Sequence, residues 1–405
     1  MAATAAVIAL TVLCMTWGIY RLQKHLKTIL STKIPSSDGP VPYGTTAAAS
    51  SFSLERAYAS FNAYAKISNA EVYTYRTKLA SLRGGHKRMA LELGYRQKVD
   101  TLERCHEQNA RLAKSICSAA FRSYPSLQHT TELSSKATDV GRVREAFKHL
   151  VRDWSIEGKE ERKVIFSSIL EELERTPGDE RAGCKVLVPG AGLGRLAWEI
   201  SQRGFDTTSC ELSFYMNLAL NLVLHPESTN RPHQHTVHPY AHWWSHQRSS
   251  SNTFRGITFP DVVPRQSNNW TLSDQDFLSL TPPNEDTAHS NSLLSANGRG
   301  GYDVIVTLYF IDTASNIISY LSHIHYLLRP GGRWINLGPL LYSNATLELS
   351  LDEVLHLANL VGFDVDTTTR KTIPSEYTAD SEAMMKWIYQ AEFWVATKRS
   401  DEYIL

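Results

Sequence analysis

A chain of 405 residues is long enough to bury an α/β core and still carry a smaller helical unit. Its 42 Lys and Arg almost cancel its 41 Asp and Glu, so no whole-chain field favours nucleic acid as a partner, and a small or local substrate is expected instead. The five cysteines, Cys14, Cys105, Cys117, Cys184 and Cys210, are scattered, odd in number and never set as C-x-x-C, which argues against disulfides and structural zinc and suits a reducing compartment.

Residues 2–20 are uncharged and mostly apolar, about the length of a membrane span, and Arg21, Lys24 and Lys27 follow at once. The run reads as an uncleaved membrane anchor or as a disordered extension. As an anchor, its basic C-terminal flank would keep the rest of the chain in the cytosol. Residues 31–51, with Pro35, Pro40 and Pro42, read as a linker, so residues 1–52 are expected to be anchor and linker. Residues 53–180 repeat apolar side chains at helical spacing, as in Leu54, Ala57, Phe61, Tyr64 and Ala65, and are expected to form a helical cap. Within them, Val143-Arg-Glu-Ala-Phe-Lys-His-Leu-Val-Arg-Asp-Trp-Ser155 is denser in polar and aromatic residues than packing alone requires.

The stretch Val186-Leu-Val-Pro-Gly-Ala-Gly-Leu-Gly-Arg-Leu-Ala-Trp-Glu-Ile200 reads as strand, tight turn and helix. Val186, Leu187 and Val188 make a buried parallel strand, and Leu193, Leu196, Ala197 and Ile200 share one helix face. Gly190, Gly192 and Gly194 permit unusual backbone angles and let a ligand lie against bare main chain. A dinucleotide site asks for G-x-G-x-x-G, but here the third glycine comes one residue early and Arg195 stands in its place, a spacing that favours S-adenosylmethionine. Glu211, about 20 residues beyond Gly190, is the acid suited to ribose hydroxyls. A purely structural turn is the alternative.

Residues 205–210 then read as a second strand and 214–224 as a second helix. In the histidine-rich segment that follows, His238, His242 and His246 would share a face if helical. Pro239 breaks such a helix and no acid or cysteine completes a metal set, so a surface or packing role is expected. Residues 254–264 read as an irregular loop, 268–278 as a third strand ending in carboxylates, and 282–301 as a polar, mobile loop. Residues 302–312 form a buried strand that emerges at Asp312, the mouth of the ligand crevice in an open α/β sheet. A crossover helix over 313–328, a strand over 334–337, a helix over 351–361, a strand over 363–368, a helix over 384–389 and a strand over 391–397 complete the chain.

This order resembles a class I S-adenosylmethionine-dependent methyltransferase: an α/β fold with a seven-stranded Rossmann-like sheet over 181–405 and an N-terminal helical region. The words Val151-Arg-Asp-Trp-Ser155, Pro189-Gly-Ala-Gly-Leu-Gly-Arg-Leu-Ala-Trp-Glu199, Phe259-Pro-Asp261, Phe310-Ile-Asp-Thr-Ala314, Pro330-Gly-Gly332, Trp334-Ile-Asn-Leu-Gly-Pro-Leu-Leu-Tyr342 and Met384-Met-Lys386 are similar to the carnosine N-methyltransferase family. From about Ser53 onward, the resemblance implies an enzyme that moves a methyl group from S-adenosylmethionine to an imidazole nitrogen of carnosine or a related histidine-containing dipeptide, giving anserine. It implies cofactor contacts at Arg152, Gly190, Gly192, Glu211, Asp276 and Phe277, substrate contacts at Asp312 and Tyr389, and no metal. Ser343 stands where the family has a substrate-contacting histidine, and Trp387 where it has tyrosine, which points to a retuned pocket.

An imidazole nucleophile must be neutral, and a carboxylate accepting its other N–H would fix the tautomer and stabilise the cation formed; Asp312 is assigned this catalytic role, a helix N-cap being its alternative. The expected partner is a small molecule rather than nucleic acid, with membrane anchoring through the N-terminus and a homodimer left open. The cytoplasm is the expected compartment. Methylation of histidine within a protein, or a non-catalytic methyltransferase-like binding protein, are the rival readings.

Overall fold

The computed structural model describes residues 52–129, 139–283, 300–343, 345–378 and 380–400. Apart from Phe52, the expected anchor and linker lie outside the described residues, as does most of the loop expected over 282–301. Among the described residues no helix is long and apolar enough to cross a membrane.

The first helices are α1 (Leu54–Asn62), α2 (Tyr64–Ser81), α3 (Gly84–Glu92), α4 (Tyr95–Ser123), α5 (Val140–Trp154) and α6 (Lys159–Glu174). Ser53 begins α1 by accepting the Arg56 N–H at 3.4 Å, a side-chain N-cap. Along α4 the buried residues Leu102, Cys105, Asn109, Leu112, Ile116 and Ala120 recur every three or four positions, the stripe that an amphipathic helix turns to its core. Phe61 of α1 packs its ring on Phe147 of α5 and on Tyr215, tying the helices to the layer beneath.

That layer contains β1 (Lys185–Pro189), α7 (Arg195–Gln202), β2 (Asp206–Cys210), α8 (Phe214–Leu224), β5 (Trp270–Ser273), β6 (Tyr302–Leu308), α9 (Ile317–Leu327), β7 (Leu328–Gly338), α10 (Leu351–Val361), β8 (Phe363–Ser375) and β9 (Tyr389–Lys398). The sheet order is β5-β2-β1-β6-β7-β9-β8, with β9 antiparallel to both neighbours. This is the seven-stranded Rossmann-like class I methyltransferase sheet expected from the sequence. Val186, Leu187 and Val188 are buried on both faces, as a central parallel strand demands. The order reverses between β1 and β6, so their C-terminal ends open a crevice.

Three expectations change. Residues 254–264 are not wholly irregular: β4 (Ile257–Phe259) pairs antiparallel with β3 (His235–Val237) in a small separate sheet. The helix expected over 384–389 does not form. That stretch is short, Met384, Trp387 and Ile388 stay exposed with no face to bury, Met384 N–H bonds the His246 carbonyl at 2.6 Å, and Tyr389 already begins β9. The crossover helix starts at Ile317 rather than 313, because the Asn316 side chain accepts the Ile318 N–H at 3.0 Å and caps it there. As Pro239 implies, His238, His242 and His246 share no helix, since the chain leaves β3 at Val237 into irregular structure.

Candidate functional site

Gly190, Gly192 and Gly194 all take left-handed backbone angles, φ +63°, +57° and +72°. A Cβ on Gly190 would stand 2.5 Å from the Phe310 ring, so the turn requires glycine on steric as well as conformational grounds. The turn also aims main-chain donors at an acid. Gly192 N–H reaches Glu211 Oε2 at 2.8 Å, and Ser213 N–H reaches Glu211 Oε1 at 2.8 Å. Burial pushes the Glu211 carboxyl above its ordinary range, and these N–H groups partly oppose the shift. Glu211, Gly192, Asn217, Leu272 and Asp274 line one cleft at the ends of β1, β2 and β5.

Asp276 turns its carboxylate to the Leu278 N–H at 2.9 Å and caps the short 3-10 turn that begins at Phe277. Phe277 is buried, edge-on to Phe310 with ring centroids 5.2 Å apart, and so touches the ring that covers Gly190.

On the other side of the glycine turn, α5 presents Arg152. It is buried, its Nε donates to Asp153 Oδ1 at 2.7 Å, and its guanidinium lies 4.8 Å from the centre of the Tyr377 ring. Burial alone would weaken that charge, but Asp153, Tyr377 and Glu161 together more than offset it and the pKa rises. Asp153 Oδ2 accepts the Leu193 N–H at 3.3 Å, and Trp154 Nε1 donates to the Leu193 carbonyl at 2.9 Å, so α5 holds the glycine turn directly. His149, one helical turn before Arg152, is buried with its Nδ1 unpartnered, 3.8 Å from where a Gly192 Cβ would stand. Burial, then the neighbouring Arg152, drive this imidazole down to about 3, so it is neutral. Below, Asp261 bridges Arg162 and Arg195 at 2.7 Å each, joining α6, α7 and the chain beyond β4.

Asp312 follows β6. It is buried and accepts the Leu341 N–H through Oδ2 at 2.8 Å, and burial raises its pKa. It does not cap α9, a role held by Asn316. Ser343 lies exposed two residues past Leu341, and Trp387 is 71% exposed. Tyr389 opens β9 with its ring edge-on to Tyr309 at 6.0 Å, while Tyr309 also meets Tyr377 at 4.7 Å. The structure therefore gathers Arg152, Gly190, Gly192 and Glu211 around the glycine turn, with Tyr389 reaching Arg152 through Tyr309 and Tyr377. Ser343 and Trp387 stand toward solvent.

His149, Asp153, Tyr309 and Tyr377 were not singled out by the sequence. His149 and Asp153 carried a usable signal: both sit on α5 within one turn of Arg152. Tyr309 and Tyr377 carried none, because only the closed sheet brings them together.

Residues 129–400 match the family model described as carnosine N-methyltransferase. The carnosine N-methyltransferase of Schizosaccharomyces pombe is 31% identical over 84% of this chain and 94% of its own length. That of Mus musculus is 30% identical over 74% of this chain and 75% of its own. Among solved structures, phosphoethanolamine N-methyltransferase 2 of Haemonchus contortus aligns with a TM-score of 0.37 and 14% identity, over 65% of this chain and 58% of that one. With a family model matching residues 129–400 and a relative 31% identical along 94% of its own length, the chain belongs to the carnosine N-methyltransferase family.

Proposed function

We propose that this enzyme transfers a methyl group from S-adenosylmethionine to an imidazole nitrogen of carnosine or a related histidine-containing dipeptide, giving anserine in the first case. The single observation that carries the reading, beside family membership, is Asp312: a buried carboxylate at the end of the central strand, held at one oxygen by the Leu341 N–H. A carboxylate has lone pairs to spare, so Asp312 can also accept the N–H of a substrate imidazole. That bond fixes the tautomer, leaves the other nitrogen its lone pair, and strengthens as the ring gains charge.

The residues present fit the cofactor. The cradle at Gly190 admits no side chain, Glu211 is an acid already oriented by main-chain donors, and His149 Nδ1 lacks a partner. Bound there, S-adenosylmethionine supplies its methyl as a sulfonium. Arg152 would pair with its carboxylate, Gly190 and Gly192 would give it bare backbone, Glu211 would take the ribose hydroxyls, and Asp276 and Phe277 would hold the base. Ser343 and Tyr389 border the substrate. The remaining task of the protein is alignment and exclusion of water, for which in-line transfer needs no further acid.

We assign residues 53–180 to a cap over a methyltransferase domain at 181–405, with 1–52 as a linker preceded either by a membrane anchor that keeps the catalytic part facing the cytosol or by a plain extension. A chain beginning at Ser51 should keep full activity, and a freely soluble full-length protein in cell fractionation would remove the anchor. Light scattering of the purified chain decides between monomer and homodimer. Histidine within a protein is a second substrate class, favoured by the exposed Met384, Trp387 and Ile388 that lead directly to Tyr389. One assay separates these readings: labelled methyl donor with carnosine, homocarnosine, free histidine and a cell extract. Transfer to carnosine is expected, and transfer to no imidazole would overturn the proposal.

A further inference from the structure

Tyr309 is where the central strand β6 leaves the sheet, and it is a non-glycine residue in the left-handed region, φ +51°. Side chains rarely adopt that conformation, so surrounding contacts must enforce it. Its N–H bonds the Leu337 carbonyl at 2.9 Å, and a Cβ on Gly338 would come within 3.2 Å of its main chain. The kink carries the ring out to Tyr377 and Tyr389, and the hydroxyl shares a hydrogen bond with the hydroxyl of Ser375, the buried last residue of β8. Ser375 is itself paired with Tyr389 in the β8–β9 ladder. Tyr377 lies over Arg152 and edge-on to His149 at 5.6 Å, with the next residue, Thr378, fastened to Glu161 through its N–H at 2.8 Å. Burial pushes the Tyr309 phenol up to about 12, so it keeps its proton.

We infer that Tyr309 is a positioning residue for the methyl acceptor: its bond to Ser375 fixes Tyr377 and Tyr389 as a preformed aromatic wall beside Arg152. The inference rests on the reading of an imidazole acceptor. Fixing the wall in advance removes an ordering cost that substrate would otherwise meet on binding, so its loss belongs in KM rather than in kcat or cofactor affinity.

The test is a double-mutant cycle of Tyr309→Phe and Ser375→Ala, read by methyl-transfer kinetics on carnosine, calorimetry with S-adenosylhomocysteine, and hydrogen exchange. Each single variant should raise the carnosine KM about five- to tenfold, the usual worth of one hydrogen bond, with kcat and S-adenosylhomocysteine affinity within about twofold of wild type. The double variant should be no worse than either single, and amides around Tyr377 and Tyr389 should exchange faster in all three. Unchanged KM, additive losses, an equal loss of S-adenosylhomocysteine affinity or unchanged exchange would each overturn the inference. A wild-type protein that does not methylate carnosine defeats the substrate reading instead, and the exchange comparison then decides alone whether the phenol holds the wall.

Discussion

On the glycine-turn wall of the site, Gly190, Gly192, Glu211 and Ser213 come from one strand, turn and strand, and are locked by main-chain hydrogen bonds. Arg152 joins this wall from α5, which holds the turn directly; on the opposite wall, Tyr309 and Asp312 come from the end of β6, Tyr377 from the connection after β8, and Tyr389 from β9. Apart from Arg152, the first wall is local and forms whenever β1, α7 and β2 form; the second exists only when the antiparallel end of the sheet has closed. The two should therefore fail separately, and the cofactor and acceptor functions assigned to them should be separable by mutation.

The sharpest break in that comparison is Asp312→Ala. It should lose a hundredfold or more in kcat/KM, about 3 kcal/mol, while S-adenosylhomocysteine binding by calorimetry stays within about twofold. The ionised carboxylate is the acceptor, and burial raises its pKa, so kcat/KM at saturating cofactor should fall on the acid side at a pH above the ordinary aspartate value of about 4. Asp312→Ala should lack that component and keep the acid limb of the substrate imidazole, which must be neutral to react and titrates at about 6.5. Near wild-type turnover in the variant would leave Asp312 a support for Leu341 and no more.

Asp261 should behave in the opposite way, because it anchors α5, whose Arg152 belongs to the first wall and lies against the Tyr377 ring of the second. It joins Arg162, which donates to the Arg152 carbonyl at 2.6 Å, to Arg195, which donates to the Asp153 carbonyl at 3.0 Å. Asp261→Ala takes the carboxylate partner from the buried Arg162 and leaves Arg195 with Glu199 alone, and should cost about 3 kcal/mol in chemical unfolding. Cofactor and acceptor affinity should then weaken together. A loss in one alone would mean that the walls are not joined through this carboxylate.

The same contacts explain what could be read in advance. The β1 run, the G-x-G-x-G turn and Glu211 announce themselves because each rests on local backbone demands. The words around Arg152, Arg195 and Asp261 were visible as words; their meaning, one charge cluster beneath the turn, is tertiary. Tyr309 and Tyr377 stayed silent for the same reason. The stretch 384–389 misled because its spacing suits a helix, while its hydrogen bonds go to His246 and its neighbour strand is β8.

Glu211 tests the local wall by itself. Glu211→Ala should weaken S-adenosylhomocysteine binding by about 1–3 kcal/mol in calorimetry with the fold intact, and unchanged affinity would remove the ribose assignment. Its raised carboxyl also makes a stability prediction. A group whose folded pKa lies above its unfolded value contributes stability below the unfolded pKa and loses it as pH rises through the folded one. Near neutral pH the ionised Glu211 therefore costs the cofactor-free protein stability. Glu211→Gln removes the charge but sets an NH2 against one of the two main-chain donors, so it should lose this pH dependence without melting higher than wild type.

The smallest effect is expected at Ser343, on the rim of the second wall. It follows Leu341, whose N–H holds Asp312, by two residues, and it is exposed, so a longer side chain has room. Serine offers one short hydroxyl there; an imidazole offers a ring nitrogen farther out and a charge that appears near neutral pH. Ser343→His should raise kcat/KM for carnosine relative to free histidine by about three- to tenfold, near 1 kcal/mol, because a rim contact that stays wet adds one partly solvated hydrogen bond. The gain should appear against carnosine and homocarnosine, whose peptide bonds extend past the ring, and not against free histidine. An unchanged ratio places Ser343 outside the pocket and leaves selection among imidazoles to Asp312 and the tyrosines. A larger gain, approaching the loss in Asp312→Ala, would mean that the rim is buried once substrate is bound and that the second wall closes further than its cofactor-free form.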